Sequence, residues 1–228
     1  MKKNGWTILE LIIYMGISMI IMAAVYAAVV MAQRTSSAVG KKTLTQQDAR
    51  FVLDMMAMDI RNASYNSLRT RLIWQGVAVD ANGNASLIGV VNNNFYGIQL
   101  ASTNQILVEM DLNNNGIIDG TNEAVFYGYN GVNTITRANT FPGGNQVLLG
   151  GVGSGTLVHN AQANVPLFQY FDGRGNLLNP VVIPSIRRIT ITIVADTEAN
   201  DLNTGAPKRM IYSTDVLVKN HAVASYTK

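Results

Sequence analysis

The apolar and polar positions divide the chain into three textures. From Ile8 to Ala32 runs ILELIIYMGISMIIMAAVYAAVVMA, 25 residues with a single formal charge, Glu10. At about 1.5 Å per residue this run is long enough to cross a bilayer as a helix. Thr35 to Gly40 (TSSAVG) is a weak helix former and is expected to loosen or bend that helix. Helical patterning resumes from Lys41 to about Ala63. There Leu44, Phe51, Val52 and Met55 fall at i, i+7, i+8 and i+11, which predicts one apolar stripe packed on a sheet. Gln47, Arg50, Asp54 and Arg61 occupy another face, with Arg50 and Asp54 reading as a solvated pair.

Beyond Leu72 the texture changes to short apolar or alternating runs bounded by Asn, Gly and Asp. Strands are predicted at Leu87 to Val91, Tyr96 to Ala101, Gln105 to Met110, Ala124 to Tyr129, Thr134 to Arg137, Gln146 to Leu149, Pro166 to Phe171, Arg187 to Ala195 and Arg209 to Lys219. Asp172 to Asn176 reads as a turn and Asp196 to Pro207 as a long polar hairpin tip. The expected fold class is therefore α+β, a long N-terminal transmembrane and amphipathic helix followed by an antiparallel β-rich globular domain.

Composition narrows the picture further. The chain has 228 residues, 48% hydrophobic and 14% charged, enough for one sizeable core. Its net charge is +3, and two of the 17 basic residues are Lys2 and Lys3, so without them 15 basic groups face 14 acidic ones. No nucleic-acid partner is indicated. Cysteine is absent, so the fold rests on packing alone or on packing plus a metal.

Glu10 is the informative residue of the apolar run, because a carboxylate there is costly and calls for a partner, or for snorkelling to the head groups. Lys2-Lys3-Asn4-Gly5 followed by Trp6-Thr7-Ile8-Leu9-Glu10 resembles the class III signal of type IV prepilins. In that family a short basic leader ends in glycine, cleavage follows it, and the fifth mature residue is glutamate. The resemblance implies cleavage between Gly5 and Trp6, with Trp6 in place of the usual Phe. Glu10 would then pair with the new α-amino group of a neighbouring subunit. Phe51 to Tyr65 (FVLDMMAMDIRNASY), FQYFDGRGNLL, IRRITITIV and Val218-Lys219-Asn220 are similar to segments of PilW-type and J-type minor pilins.

This resemblance implies residues 1–5 as leader, 6–34 as transmembrane and assembly helix, 35–65 as amphipathic helix and 66–228 as pilin domain. The implied partners are other pilin or pseudopilin subunits, the prepilin peptidase and the inner-membrane assembly platform. The implied location is the inner membrane with the C-terminal domain periplasmic, then the pilus or cell surface. The leading expectation is a minor pilin near a filament tip. Its rivals are a J-type pseudopilin of type II secretion and a membrane-anchored adhesin that never polymerises.

One loop carries candidate chemistry. Asp111, Asn113, Asn115 and Asp119 stand at positions 1, 3, 5 and 9 with Gly116 at 6, as in the first part of an EF-hand calcium loop. Ile117 would supply a carbonyl, and Glu123 falls one residue past the usual bidentate ligand. The alternative is an Asn/Gly-rich hairpin turn, and both readings stay open. Asp80 to Asn84 lacks the later ligands and reads as a turn. His159 and His221 lie in different segments, no catalytic motif is evident, and the Gly143-Gly144 and Gly150 to Gly155 stretches read as loops. An enzyme is not expected.

Overall fold

The computed structural model describes residues 7–67, 74–79, 85–90, 97–119, 122–139, 145–151, 155–200 and 207–224. One helix, α1 (Ile8–Arg61), runs without interruption through 54 residues. The expected loosening at Thr35 to Gly40 does not occur. The hydroxyls of this region bond back to carbonyls one turn earlier, Thr35 to Met31 at 2.9 Å and Thr43 to Val39 at 3.0 Å, and so satisfy themselves without opening the helix. A lone interior glycine such as Gly40 costs only about 1 kcal/mol, too little to end a helix of this length. The helix stops at Asn62, and Ser64 then donates its amide to the Glu109 carbonyl at 2.8 Å.

The strands are β1 (Gln75–Val79), β2 (Ala85–Val90), β3 (Ile98–Ala101), β4 (Gln105–Glu109), β5 (Ala124–Tyr129), β6 (Thr134–Ala138), β7 (Gln146–Gly150), β8 (Thr156–Val158), β9 (Phe168–Phe171), β10 (Arg188–Asn200) and β11 (Pro207–Leu217). A short helix, α2 (Lys219–Ala224), follows β11. β1 and β2 form a hairpin, and β3 to β7 form an antiparallel meander. β10 pairs with β11 on one side and with both β8 and β9 on the other, all antiparallel. The fold is thus α+β as expected. β1, β8 and α2 were not foreseen, and β11 ends before Lys219, which instead begins α2. Pairing also extends further into the polar tip, as far as Asn200 opposite Pro207. Val91, Tyr96, the Asp80 to Asn84 turn, Gly143 and Gly144 lie outside the described residues.

Of the expected stripe, Val52 is buried and Met55 half-buried, but the helix face that packs on the sheets is turned away from Leu44 and Phe51. Thr45, Ala49, Val52, Leu53, Met56, Ala57 and Ile60 are buried, whereas Leu44, Phe51 and Met58 are about three-fifths exposed, at 59%, 63% and 60%. Small residues at 45, 49 and 57 let β10 and β11 approach the helix closely, so the seam runs along them instead of along the bulkiest side chains. The core then joins this seam to Ile98, Ile106, Val108, Tyr127, Phe168, Tyr170 and the alternating Ile189, Ile191 and Ile193 of β10.

Candidate functional site

Two regions carry the expected site residues. The first is the free length of α1. Thr7 caps it, its hydroxyl accepting the Glu10 amide at 3.3 Å, and Glu10 sits exposed in the first turn. From Ile8 to Val39 the large apolar side chains other than Val30 are exposed, among them Ile8, Ile20, Met22 and Tyr26. The helix contains an 18-residue window of mean hydropathy 2.3, none of it buried, so it is long and apolar enough to cross a membrane. Leu44, Phe51 and Met58, spaced seven apart on the side away from the sheets, continue this apolar surface along the globular domain. Gly5 and Trp6, the expected cleavage site, lie outside the described residues.

The second region is the loop between β4 and β5. Asp111 is buried, and its two carboxylate oxygens accept the amides of Asn115 at 3.2 Å and Gly116 at 3.1 Å. Gly116 holds φ at +81°, a conformation glycine adopts without strain. Asn113 and Asn115 accept the amides two residues ahead of them, at 2.9 and 2.8 Å. Their amide nitrogens reach the exposed Asp119 carboxylate at 3.2 to 3.4 Å. Ile117 takes part through its amide, and Ile118 is the apolar anchor.

Glu123 stands apart from that group. It is buried, and its carboxylate accepts the amides of Leu112, Asn113 and Asp119 at 3.2, 3.1 and 3.0 Å. Two acidic side chains therefore organise the loop through five backbone amides. Among the described residues, no three carboxylate or imidazole side chains converge as a metal site.

Four polar clusters had no signal in the sequence, because the residues of each come from separate segments of the chain. Asp59 of α1 accepts from Tyr127 at 2.5 Å and from the Arg137 guanidinium at 3.0 Å, which ties the helix to β5 and β6. Burial, then the Asp59 charge, pushes the Tyr127 phenol far up. Glu109 of β4 is fully buried; one oxygen accepts from the Gln75 amide and the Gln99 side chain, and the other has no partner among the described residues. Burial raises its carboxyl to about 8. Beside it, Gly97 lies so close to the Ser64 backbone that an added Cβ would come within 2.4 Å. His221 is buried between Ser64 and the Ile183 carbonyl, while His159 lies near Asp196, which also pairs with Arg209.

The comparisons with known proteins bear on the same regions. No curated protein and no solved structure matches the chain. A family model described as prepilin peptidase-dependent protein B matches residues 39–204, from just before the buried seam of α1 to beyond the end of β10. That is well over half of the chain, and it takes in β1 to β10 and the Asp111 loop, so the chain belongs to the prepilin peptidase-dependent protein B family.

Proposed function

We propose that this pilin-like protein is a minor subunit of a type IV pilus, inserted in the inner membrane by the first half of α1 and then drawn into a filament by helix packing, at or near its tip. The observation that carries this reading is the uncovered apolar surface of α1 from Ile8 to Met31, with Leu44, Phe51 and Met58 exposed further along the same helix. Such a surface is stable in lipid or against other helices and not in water. The family description supports processing by the prepilin peptidase. A J-type pseudopilin would share this construction, and gene neighbourhood separates the two.

The testing experiment is the N-terminal mass of protein recovered from its own membranes and filaments. The mature chain is expected to begin at Trp6. Intact Met1 in assembled material would overturn the reading.

A second element of the proposal is that Asp111, Asn113, Asn115 and Asp119, with the Ile117 carbonyl, take up one calcium ion. The favouring observation is that the four side chains converge on the turn at Gly116; the amides of Asn113 and Asn115, whose nitrogens now hold Asp119, would have to turn over to offer their oxygens. Glu123 serves the backbone in this arrangement. A cation bound only by the folded loop stabilises it by about 2.7 kcal/mol at a hundredfold excess over its Kd. The full-length protein in detergent should therefore melt at higher temperature in millimolar calcium than in chelator. Asp119→Ala, an exposed change, should abolish the difference. No heat of calcium binding at millimolar concentration removes the ion and leaves the turn.

A further inference from the structure

The outer edge of β11 carries a feature that the assembly helix does not explain. The Val218 amide donates to the Arg187 carbonyl at 3.0 Å, which makes this a hydrogen-bonded pair of the β10–β11 ladder. Antiparallel ladders alternate, so the next bonded pairs are Val216 with Ile189, Thr214 with Ile191, Tyr212 with Ile193 and Met210 with Ala195. The amides and carbonyls of Arg209, Ile211, Ser213, Asp215 and Leu217 therefore point away from β10. All five residues are exposed, and among the described residues no strand pairs with that edge.

Edges of this kind are commonly blunted by an internal proline, a bulge, an inward charge or short length. β11 has none of these over the stretch concerned, and its two edge charges, Arg209 and Asp215, are engaged with Asp196 and Arg188 of β10. Its only proline is its first residue, its register with β10 is unbroken from Leu217 to Arg209, and its inward side chains Met210, Tyr212, Thr214 and Val216 are uncharged. Met210 and Tyr212 are only partly buried, at the margin of the core.

We infer that the outer edge of β11 is a docking site for an extended segment of a different pilin-like subunit, which adds to the sheet as a further antiparallel or parallel strand. A row of alternating backbone donors and acceptors is matched by another strand, with affinity from the main chain and selectivity from alternate side chains. The inference rests on the filament reading: β11 packs directly on α1, so subunits brought together through α1 come within reach of its edge. A second copy of this chain is the poorer occupant. Two β11 edges joined antiparallel are related by a dyad perpendicular to the sheet, which leaves both copies of α1 on one face and running in opposite directions. Chains rooted in one membrane run the same way.

The test uses the full-length chain in its own cells, with a photo-crosslinking residue at Ile211 or Ser213. The expected adducts map to a single extended segment of another prepilin-derived subunit, stepping two residues along it between the two positions. Ser213→Pro removes an outward amide without breaking the inner ladder. Ile211→Lys adds an edge charge at an exposed position. Either change should lower the adduct yield at the other position about tenfold, the equivalent of one lost interchain hydrogen bond, and Ile211→Lys, at an exposed position, should do so with melting temperature unchanged. Adducts only to a second copy, or yields indifferent to both changes, would overturn the inference. Recovery of the chain in filaments with no adduct would reject the edge and keep the pilin reading; failure to enter any filament would reject both.

Discussion

Glu10→Val is expected to leave α1 in the membrane and to remove the chain from filaments. Insertion does not need the carboxylate. A charge inside an apolar span opposes transfer by about 2.5–3.5 kcal/mol at the span centre and by less near its end, so valine eases insertion. Assembly is different, because in the proposed filament Glu10 faces the α-amino group of a neighbour where water is scarce. Leaving that amino group buried without its partner costs about 3–5 kcal/mol, equivalent to a loss of roughly two to three orders of magnitude in incorporation. The measurement is the ratio of filament-associated to membrane-associated protein. An unchanged ratio would mean that Glu10 merely reaches for the head groups.

The second large effect concerns stability and its pH dependence. The Glu109 carboxyl is raised by burial from 4.5 to about 8, against the opposing hydrogen bonds from Gln75 and Gln99. Below pH 4.5 the folded and unfolded chains both hold this proton, and Glu109 has no effect on the balance. Between 4.5 and about 8 the folded chain keeps a proton that the unfolded chain releases, so raising the pH destabilises the fold by about 1.4 kcal/mol per unit. Above that range the loss levels off. Glu109→Gln retains an acceptor for Gln75 and removes the titration. The variant should match the parent near pH 4.5 and exceed it progressively toward pH 8, by up to about 4 kcal/mol. Parallel stability curves for the two proteins would show that Glu109 finds compensation.

The parts of this protein that were legible in the sequence are those set by local pattern. The apolar run declared a helix long and apolar enough to span a membrane, and the strands of the meander stood out between their Asn and Gly turns. The turn at Asp172 is held as its sequence suggests, with Asp172 accepting the amides of Arg174 and Asn176 at 2.8 Å. The inward face of α1 was misjudged because hydrophobicity ranks Phe51 above Ala49, whereas the sheet chooses the residues that permit close approach. β8 escaped notice because a three-residue strand is defined by its partner β10 and hardly by itself. In the Asp111 loop the spacing of oxygens was plain, but the division between Asp119, exposed, and Glu123, buried under three amides, depends on which way the chain closes. The Asp59–Tyr127–Arg137 cluster joins residues up to 78 positions apart and has no one-dimensional signature.

The uninterrupted helix also sets a distance. The apolar run ends at Ala32 and the buried seam begins at Thr45, so the stretch from Gln33 to Thr43, bearing Arg34, Lys41 and Lys42, is bare of both lipid-seeking and core-seeking function. Those dozen or so residues measure about 16–18 Å along the axis. Because no bend intervenes, they form a stiff mast that, in the proposed membrane-inserted state, holds the β-domain clear of the head groups with cations facing the anionic phosphates. The clearance is fixed by residue count alone: inserting four residues there would lift the domain by about 6 Å and turn it by about 40°, and so change which neighbour its sheets could reach while every contact within the domain stayed as it is.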